Sequence, residues 1–335
     1  MQSLPDLRLL PGRHRRLAQG FPWVFSNELA MDAEAKALEP GSLVRLLNAE
    51  GEPEGLAFFN RHTLIAARLV SRAVRVAVDE AFLAERLERA LELRTQLYDR
   101  PFYRLVHAEA DGLPGTIVDR YGDVLVVQIN VAGMERLKDQ LVSALHRVTG
   151  AGTILIKDDT PAREQEGLEP GERVALGDAP GLIELEENGA RYFAELSQGQ
   201  KTGWFYDQRD NRAWIAPFAR GRKVLEGYCY SGGFSVQAAL AGAEEVIALD
   251  RSEPALALAE KAAEANGVAD RCRFVKSEVF RKLAQMKGQR YDLVIMDPPA
   301  FVKSRRDLAQ GLKGYRKLAR LAAQCVAPRG VLFMA

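Results

Sequence analysis

Between residues 223 and 334 the sequence alternates strand-forming and helix-forming runs, and no other feature constrains the fold as tightly. Strands are predicted over 223–225, 245–249, 272–275, 291–296 and 330–334. Helices are predicted over 233–241, 254–265, 279–286 and 314–325. Parallel strands need a connection long enough to hold a helix. Alternation at this spacing therefore closes into a Rossmann-like, doubly wound parallel sheet of the α/β class.

Such sheets bind ligands outside the carboxyl ends of their strands, so the turns after the strands are informative. The first turn holds Glu226, Gly227, Tyr228, Cys229, Tyr230, Ser231, Gly232 and Gly233. Its glycine spacing is not that of a dinucleotide site, and a carboxylate at Glu226 would repel a pyrophosphate. It suits a ligand with a cationic amine, such as the methionine moiety of S-adenosylmethionine (SAM). The glycines let backbone approach that ligand. Asp250, followed by Arg251, ends the second strand, where an acid can accept two ribose hydroxyls. Glu278, beside Val279, is placed to meet an adenine edge. Asp297, Pro298 and Pro299 end the fourth strand, and Phe301 follows. Two prolines fix that backbone in a shape that holds a flat base. Asp297 and a carbonyl at Pro298 would contact the base edge, and Phe301 its face. One acid at a strand end is often only a helix cap. Four in register point to SAM as cofactor, with NAD the competing choice.

Upstream lie two stretches of different texture. Residues 1–73 are rich in short β-type runs, at 42–47, 56–59 and 64–70, with a turn at 48–51. They predict a small β-barrel or sandwich. The opening segment carries Arg8, Arg13, His14, Arg15 and Arg16, and leads to Phe21, Trp23 and Phe25. Cations beside aromatics suit a nucleic acid through phosphate pairing and stacking. On composition alone, a solvated arm followed by core aromatics is the favoured alternative. Residues 74–195 form a central α+β stretch. Leu83, Leu87, Ala90, Leu93 and Leu97 recur at helical spacing over 81–98, and Asp79 can cap that helix. Strands at 116–119 and 124–129 make a hairpin, a helix covers 134–149, and a strand follows at 153–157. A second hairpin pairs 181–186 with 190–194. Residues 196–335 complete the organisation as the parallel-sheet domain.

Net charge is only +1, so a nucleic-acid surface would have to be local. One local cluster follows Phe301: Lys303, Arg305, Arg306, Lys313, Arg316, Lys317 and Arg320, with Asp307 the one acid among them. It suits a polyanion, and a solvated helix face is the alternative. Three cysteines without paired spacing and four histidines argue against a disulfide framework or a metal site. No signal peptide or membrane span is evident, and a cytoplasmic location is expected.

By these residues the chain resembles the RlmI-like 23S ribosomal RNA methyltransferases. That family joins a PUA domain, a central domain and a Rossmann-like methyltransferase domain. The segments 20–28, 104–120 and 199–212 carry the resemblance. It implies that Thr202, Gly203, Asp207 and Arg209 contact SAM. It also implies that Arg13, Arg15, Arg16 and Trp23 belong to an RNA-binding domain, that 23S rRNA is the substrate, and that the target base is flipped or splayed out. No metal or membrane partner is implied, and a homodimer stays open. The family usually has Asp where this chain has Glu226 and Glu278. Members that make 5-methylcytosine carry a nucleophilic cysteine after the fifth strand. Here its place falls just beyond Ala335, so the chain is expected to be truncated before it. Cys272, beginning a buried strand, Cys325, ending a helix, and Cys229, in the cofactor loop, read as packing residues. The competing activities are methylation of a guanine or adenine nitrogen, which needs no cysteine, and RNA binding without catalysis.

Overall fold

The computed structural model describes residues 4–196, 202–302 and 305–335. The chain packs as two compact units, Met1–Gly181 with Leu196–Trp204, and Leu182–Glu195 with Phe205–Ala335.

The first unit opens with β1 (Asp6–Arg8), α1 (His14–Ala18), β2 (Trp23–Val24), α2 (Ala33–Ala37), β3 (Ser42–Leu47), β4 (Pro53–Phe59) and β5 (Ala67–Ser71). These strands form one sheet in the order β1-β3-β4-β5-β2, antiparallel except for β1 on β3. Asn48 builds the predicted turn by accepting the backbone N–H of Glu50 (3.1 Å) and Glu52 (2.8 Å). Leu7, Leu17, Val44, Leu46, Ala57 and Phe59 close the core. The third predicted strand starts later than expected, at Ala67. Asn60 and Thr63 fold residues 60–65 into a turn through side chain–backbone bonds, and Leu64 is left 72% exposed.

The unit continues with α3 (Glu80–Leu97), β6 (Phe102–His107), β7 (Thr116–Tyr121), β8 (Val124–Ile129), α4 (Ala132–Glu135), α5 (Lys138–Thr149), β9 (Thr153–Asp158), α6 (Pro161–Glu166) and β10 (Gly171–Leu176). Asp79 caps α3, accepting from the Phe82 N–H at 3.1 Å. The helix buries Phe82, Leu83, Leu87 and Ala90 and leaves Leu93 and Leu97 exposed. The single helix predicted over 134–149 is two helices, broken near Leu137. The first is pinned under β4: a Cβ on Gly133 would stand 2.0 Å from the Phe58 ring. That close approach fixes α4 independently of α5.

The second unit contains β11 (Leu182–Glu187), β12 (Ala190–Glu195), α7 (Arg209–Ile215), β13 (Lys223–Gly227), α8 (Gly233–Leu240), β14 (Glu245–Asp250), α9 (Glu253–Ala265), β15 (Cys272–Lys276), α10 (Val279–Gln285), β16 (Tyr291–Met296), α11 (Leu308–Ala323) and β17 (Val326–Met334). Five parallel strands run in the order β15-β14-β13-β16-β17. The chain thus winds one way from β13 to β15, then returns to the other side of β13. The β11–β12 hairpin, grouped by sequence with the central stretch, packs in this unit. Arg191 exchanges hydrogen bonds with Asn266 at the end of α9, and the Tyr192 hydroxyl donates to the Gly233 carbonyl. Its residues are local in sequence to one unit, but its buried face is complementary to the other.

Two elements extend beyond their predicted limits. α11 begins at Leu308, well before the predicted start at 314. β17 begins at Val326, ahead of Pro328, which cannot donate to a ladder. The pairing with β16 jumps from Tyr291–Val326 to Leu293–Val331, so the proline and Arg329 (φ 67°) bulge out. β15 is the edge of the sheet, so Cys272 is half-buried rather than the start of a buried strand.

Candidate functional site

The turns at the carboxyl ends of β13, β14, β15 and β16 meet at the point where the strand order reverses. β13 ends on Glu226 and Gly227, both buried. The loop then turns sharply through Tyr228 (φ 66°), Tyr230 (φ 47°) and Gly232 (φ 81°). Two tyrosines in the left-handed region are costly, and such strain persists only where surrounding bonds enforce it. Those bonds are present. The N–H groups of Tyr228 and Cys229 donate to the Leu249 carbonyl at 2.8 and 3.1 Å, and the Tyr230 N–H donates to Asp250 at 3.0 Å. Phe205 meets the Tyr230 ring edge-on at 5.3 Å.

Asp250 therefore holds the loop as well as facing the site. One carboxylate oxygen takes the Tyr230 N–H and the other the Ser252 N–H at 2.8 Å. Each oxygen keeps a lone pair for a further donor. Glu226 accepts a hydrogen bond from Ser235, one turn into α8. Burial pushes its pKa up to about 8, and the nearby Asp297 and Asp250 add to this, against Ser235 and Arg212, which lower it. Arg212 is buried too, donating to Glu187 at 2.5 Å and to the Phe205 carbonyl at 3.1 Å. Ser235, Arg212 and Glu187 were not singled out as site residues from sequence. Arg212 ends the segment 199–212 that carried the resemblance, whereas Ser235 gives no sequence signal.

Glu278 caps α10, accepting from the N–H groups of Phe280 (3.1 Å) and Arg281 (2.8 Å). Val279 is buried behind it, and Arg251 stands exposed beside Asp250. At the end of β16, Asp297 donates its N–H to the Gly227 carbonyl at 3.3 Å, linking the fourth turn to the first. Pro298 is half-buried. The N–H of Phe301 donates to the Tyr315 hydroxyl of α11 at 3.1 Å, and the two rings are 4.7 Å apart. Phe280 adds a third ring, 5.8 Å from Phe301.

The other predicted residues fall in different places. Asp207 is exposed in the short 3-10 turn Tyr206–Gln208 ahead of α7, and Arg209 lies 3.5 Å from Glu187. Thr202 and Gly203 belong to the first unit. There the Thr202 hydroxyl donates to Asp119 at 2.6 Å, and its carbonyl accepts from Tyr121. Arg13 and Arg15 are exposed on or beside α1. Arg16 is held by Glu28 at 3.5 Å and lies over the Phe21 ring. Trp23 donates to Glu109 at 2.9 Å, which also pairs with Arg68. These two are bound into the fold and are half-buried. Arg306 is exposed. Lys303 and the Arg305 side chain lie outside the described residues.

Two buried polar atoms in the cofactor loop test whether SAM fits. The Tyr228 hydroxyl and Ser231 Oγ are both buried without a hydrogen-bond partner among the described residues. Burial without a partner costs roughly 1–3 kcal/mol per group. A polar ligand in this loop would offset that cost. Among the described residues no cluster of three His, Cys, Asp or Glu is arranged to hold a metal. No described helix is long and apolar enough to cross a membrane.

A parallel sheet wound 3-2-1-4-5 about an acidic, non-dinucleotide first turn defines a SAM-dependent methyltransferase domain. A family model described as S-adenosylmethionine-dependent methyltransferase matches residues 135–335, and a PUA-like domain model matches residues 7–72. The chain belongs to this SAM-dependent methyltransferase family, joined to a PUA-like domain. It is 37% identical over 333 residues to a ribosomal RNA large subunit methyltransferase I of Erwinia tasmaniensis, covering 97% of this chain and 84% of that protein. The protein of the same name in Pseudoalteromonas atlantica is 36% identical, with 97% and 83% covered. Among solved structures, a SAM-dependent methyltransferase from Streptococcus mutans shares the fold at TM-score 0.83 and 23% identity, covering 99% of this chain and 85% of that one. A methyltransferase complexed with S-adenosylhomocysteine gives TM-score 0.84 at 22% identity over the same shares.

Proposed function

We propose that this SAM-dependent enzyme methylates a base of large-subunit (23S) ribosomal RNA, with cytosine C5 as the acceptor atom. The observation that carries the substrate class is the 37% identity to a ribosomal RNA large subunit methyltransferase I over nearly the whole chain. The PUA-like match at residues 7–72 supports it. When bound, SAM supplies a sulfonium methyl group. Glu226 would meet the methionine amine, Asp250 the ribose hydroxyls, and Glu278 with Val279 the adenine. Gly227, Tyr228, Tyr230, Ser231 and Gly232 form the loop between them, and Arg251, Asp207 and Arg209 are proposed contacts as well. Thr202 and Gly203 are further proposed contacts. Asp297 and the Pro298 carbonyl would hold the edge of an extruded base, with Phe301 against its face. Arg13, Arg15, Arg16, Trp23, Lys303, Arg305 and Arg306 are the proposed RNA contacts.

Transfer to C5 requires a thiolate that adds to C6 and makes C5 nucleophilic, followed by loss of the C5 proton and expulsion of the thiolate. None of the three cysteines is poised for this. Burial raises the Cys229 thiol well above its ordinary value, pushes Cys272 up to about 12, and raises Cys325. On the C5 route the nucleophile is none of these three. The second reading is transfer to a guanine or adenine nitrogen, which needs no thiolate. Mass spectrometry of nucleosides from ribosomal RNA, in cells with and without the gene, separates the two. Loss of 5-methylcytidine is the expected result. Loss of a methylated purine supports the second reading, and unchanged ribosomal RNA defeats both.

A further inference from the structure

The near-neutral chain hides a strong charge asymmetry. Residues 279–335 carry twelve Lys or Arg against three Asp, and from Leu308 to Ala335 there is no acid at all. Solvated helices ordinarily intersperse both signs, because opposite charges three or four residues apart support each other and like charges repel. On α11, Lys313, Arg316, Lys317 and Arg320 recur at that spacing, and all four are exposed. Among the described residues none of them forms an ion pair. Lys317 reaches only the Phe280 ring, 5.3 Å away. Arg281, exposed on the neighbouring α10, carries the positive surface toward the turn after β15.

The other side of α11 explains why this face matters. Leu318 and Ala322 are buried in the core with Leu283 of α10. Tyr315 accepts the Phe301 N–H, and its ring packs against the Phe301 ring at a 41° tilt. The basic face is thus tied through one residue to the turn that carries Asp297 and Pro298. A segment bound on α11 would be held at a fixed distance from that turn.

We propose that Arg281, Lys313, Arg316, Lys317 and Arg320 bind the phosphate backbone of the substrate RNA beside the target nucleotide, with the Tyr315–Phe301 contact setting the register between backbone and base. This rests on the reading of the substrate as RNA. Exposed, mutually repelling cations with no acidic partner among the described residues match a continuous polyanion, whose counterions they release on binding. Such contacts position the substrate and leave sequence selection to the base pocket.

The test is filter binding of a large-subunit ribosomal RNA transcript at salt concentrations from about 50 to about 200 mM, with the wild type and a Lys313→Ala/Arg316→Ala/Lys317→Ala/Arg320→Ala variant. The variant should bind roughly tenfold or more weaker at low salt, and its slope of log affinity against log salt should flatten by about three to four. Circular dichroism and SAM affinity should match the wild type. If the fourfold variant misfolds, Lys313→Ala and Arg316→Ala alone should each reduce the slope by about one. Arg316→Lys should keep it. Wild-type affinity and slope in the folded variants overturn this surface while leaving the RNA reading intact. A wild type with no salt-dependent RNA binding, or one that binds phosphatidylserine vesicles instead, sinks both.

Discussion

Arg212 of α7 and Glu187 of β11 form an ion pair 2.5 Å long, with side chains only 5% and 0% exposed. The pair joins the hairpin to the helix that precedes the sheet. Arg212 also lies against the start of α8, where a Cβ on Gly233 would stand 2.5 Å from its Nε. Removing Arg212 takes the shorter of two ion pairs from the buried Glu187 and leaves Arg209, 3.5 Å away, to compensate part of its charge. Arg212→Met should therefore cost about 3 kcal/mol, the low end for a broken buried pair, read from urea unfolding. Arg212→Met combined with Glu187→Leu should recover much of that. Additive losses in the double variant would show that the pair is not the source.

Glu226 makes cofactor binding depend on pH. Its pKa in the folded protein is about 8, against an ordinary 4.5. The folded state holds this proton more tightly than the unfolded chain. The stabilisation is therefore complete below about pH 4.5 and fades as pH rises to about 8. A cationic amine favours the carboxylate, so SAM affinity should rise between about pH 6 and 8 and binding should release a proton. Titration calorimetry near neutral pH in buffers of different ionisation enthalpy measures that proton. Glu226→Gln should abolish the release. A wild type without buffer dependence contradicts this role.

Gly232 occupies a backbone conformation that side chains resist, and its neighbour is close. At φ 81°, an added Cβ would meet the Ala259 Cβ at 2.9 Å. Gly232→Ala should lose about 1–2 kcal/mol from the backbone alone, with a further penalty from the contact. Thermal melting reports the loss. SAM affinity should fall with it, since the residue sets the start of α8. An unchanged melting temperature would mean that the turn relaxes freely.

All three cysteines should react slowly as the folded protein stands. Burial disfavours the thiolate in each, with Cys272 pushed up to about 12. Iodoacetamide at about pH 8 should label them roughly tenfold or more slowly than in urea, with mass spectrometry locating the adducts. Rapid labelling of Cys272 in the folded protein would reverse the assignment of these residues to packing.

The sequence by itself determined the doubly wound sheet, because strand and helix periodicities are local properties of the chain. It also put the candidate acids at strand ends, since Glu226, Asp250 and Asp297 follow directly on predicted strands and Glu278 comes three residues after one. Asp79 capping α3 and the Asn48 turn were legible for the same reason: both are bonds across four residues or fewer. Tertiary structure decided what each acid does. Glu278 and Glu226 look alike in sequence, yet one caps α10 in solvent and the other is buried against Ser235. Burial sets the difference between an exposed cap and a carboxyl that holds its proton, and burial depends on residues distant in sequence. The Arg212–Glu187 pair spans 25 positions, and Thr202 finds Asp119 across 83. Contacts of that separation leave no periodic trace in the chain, so only the packed fold assigns them.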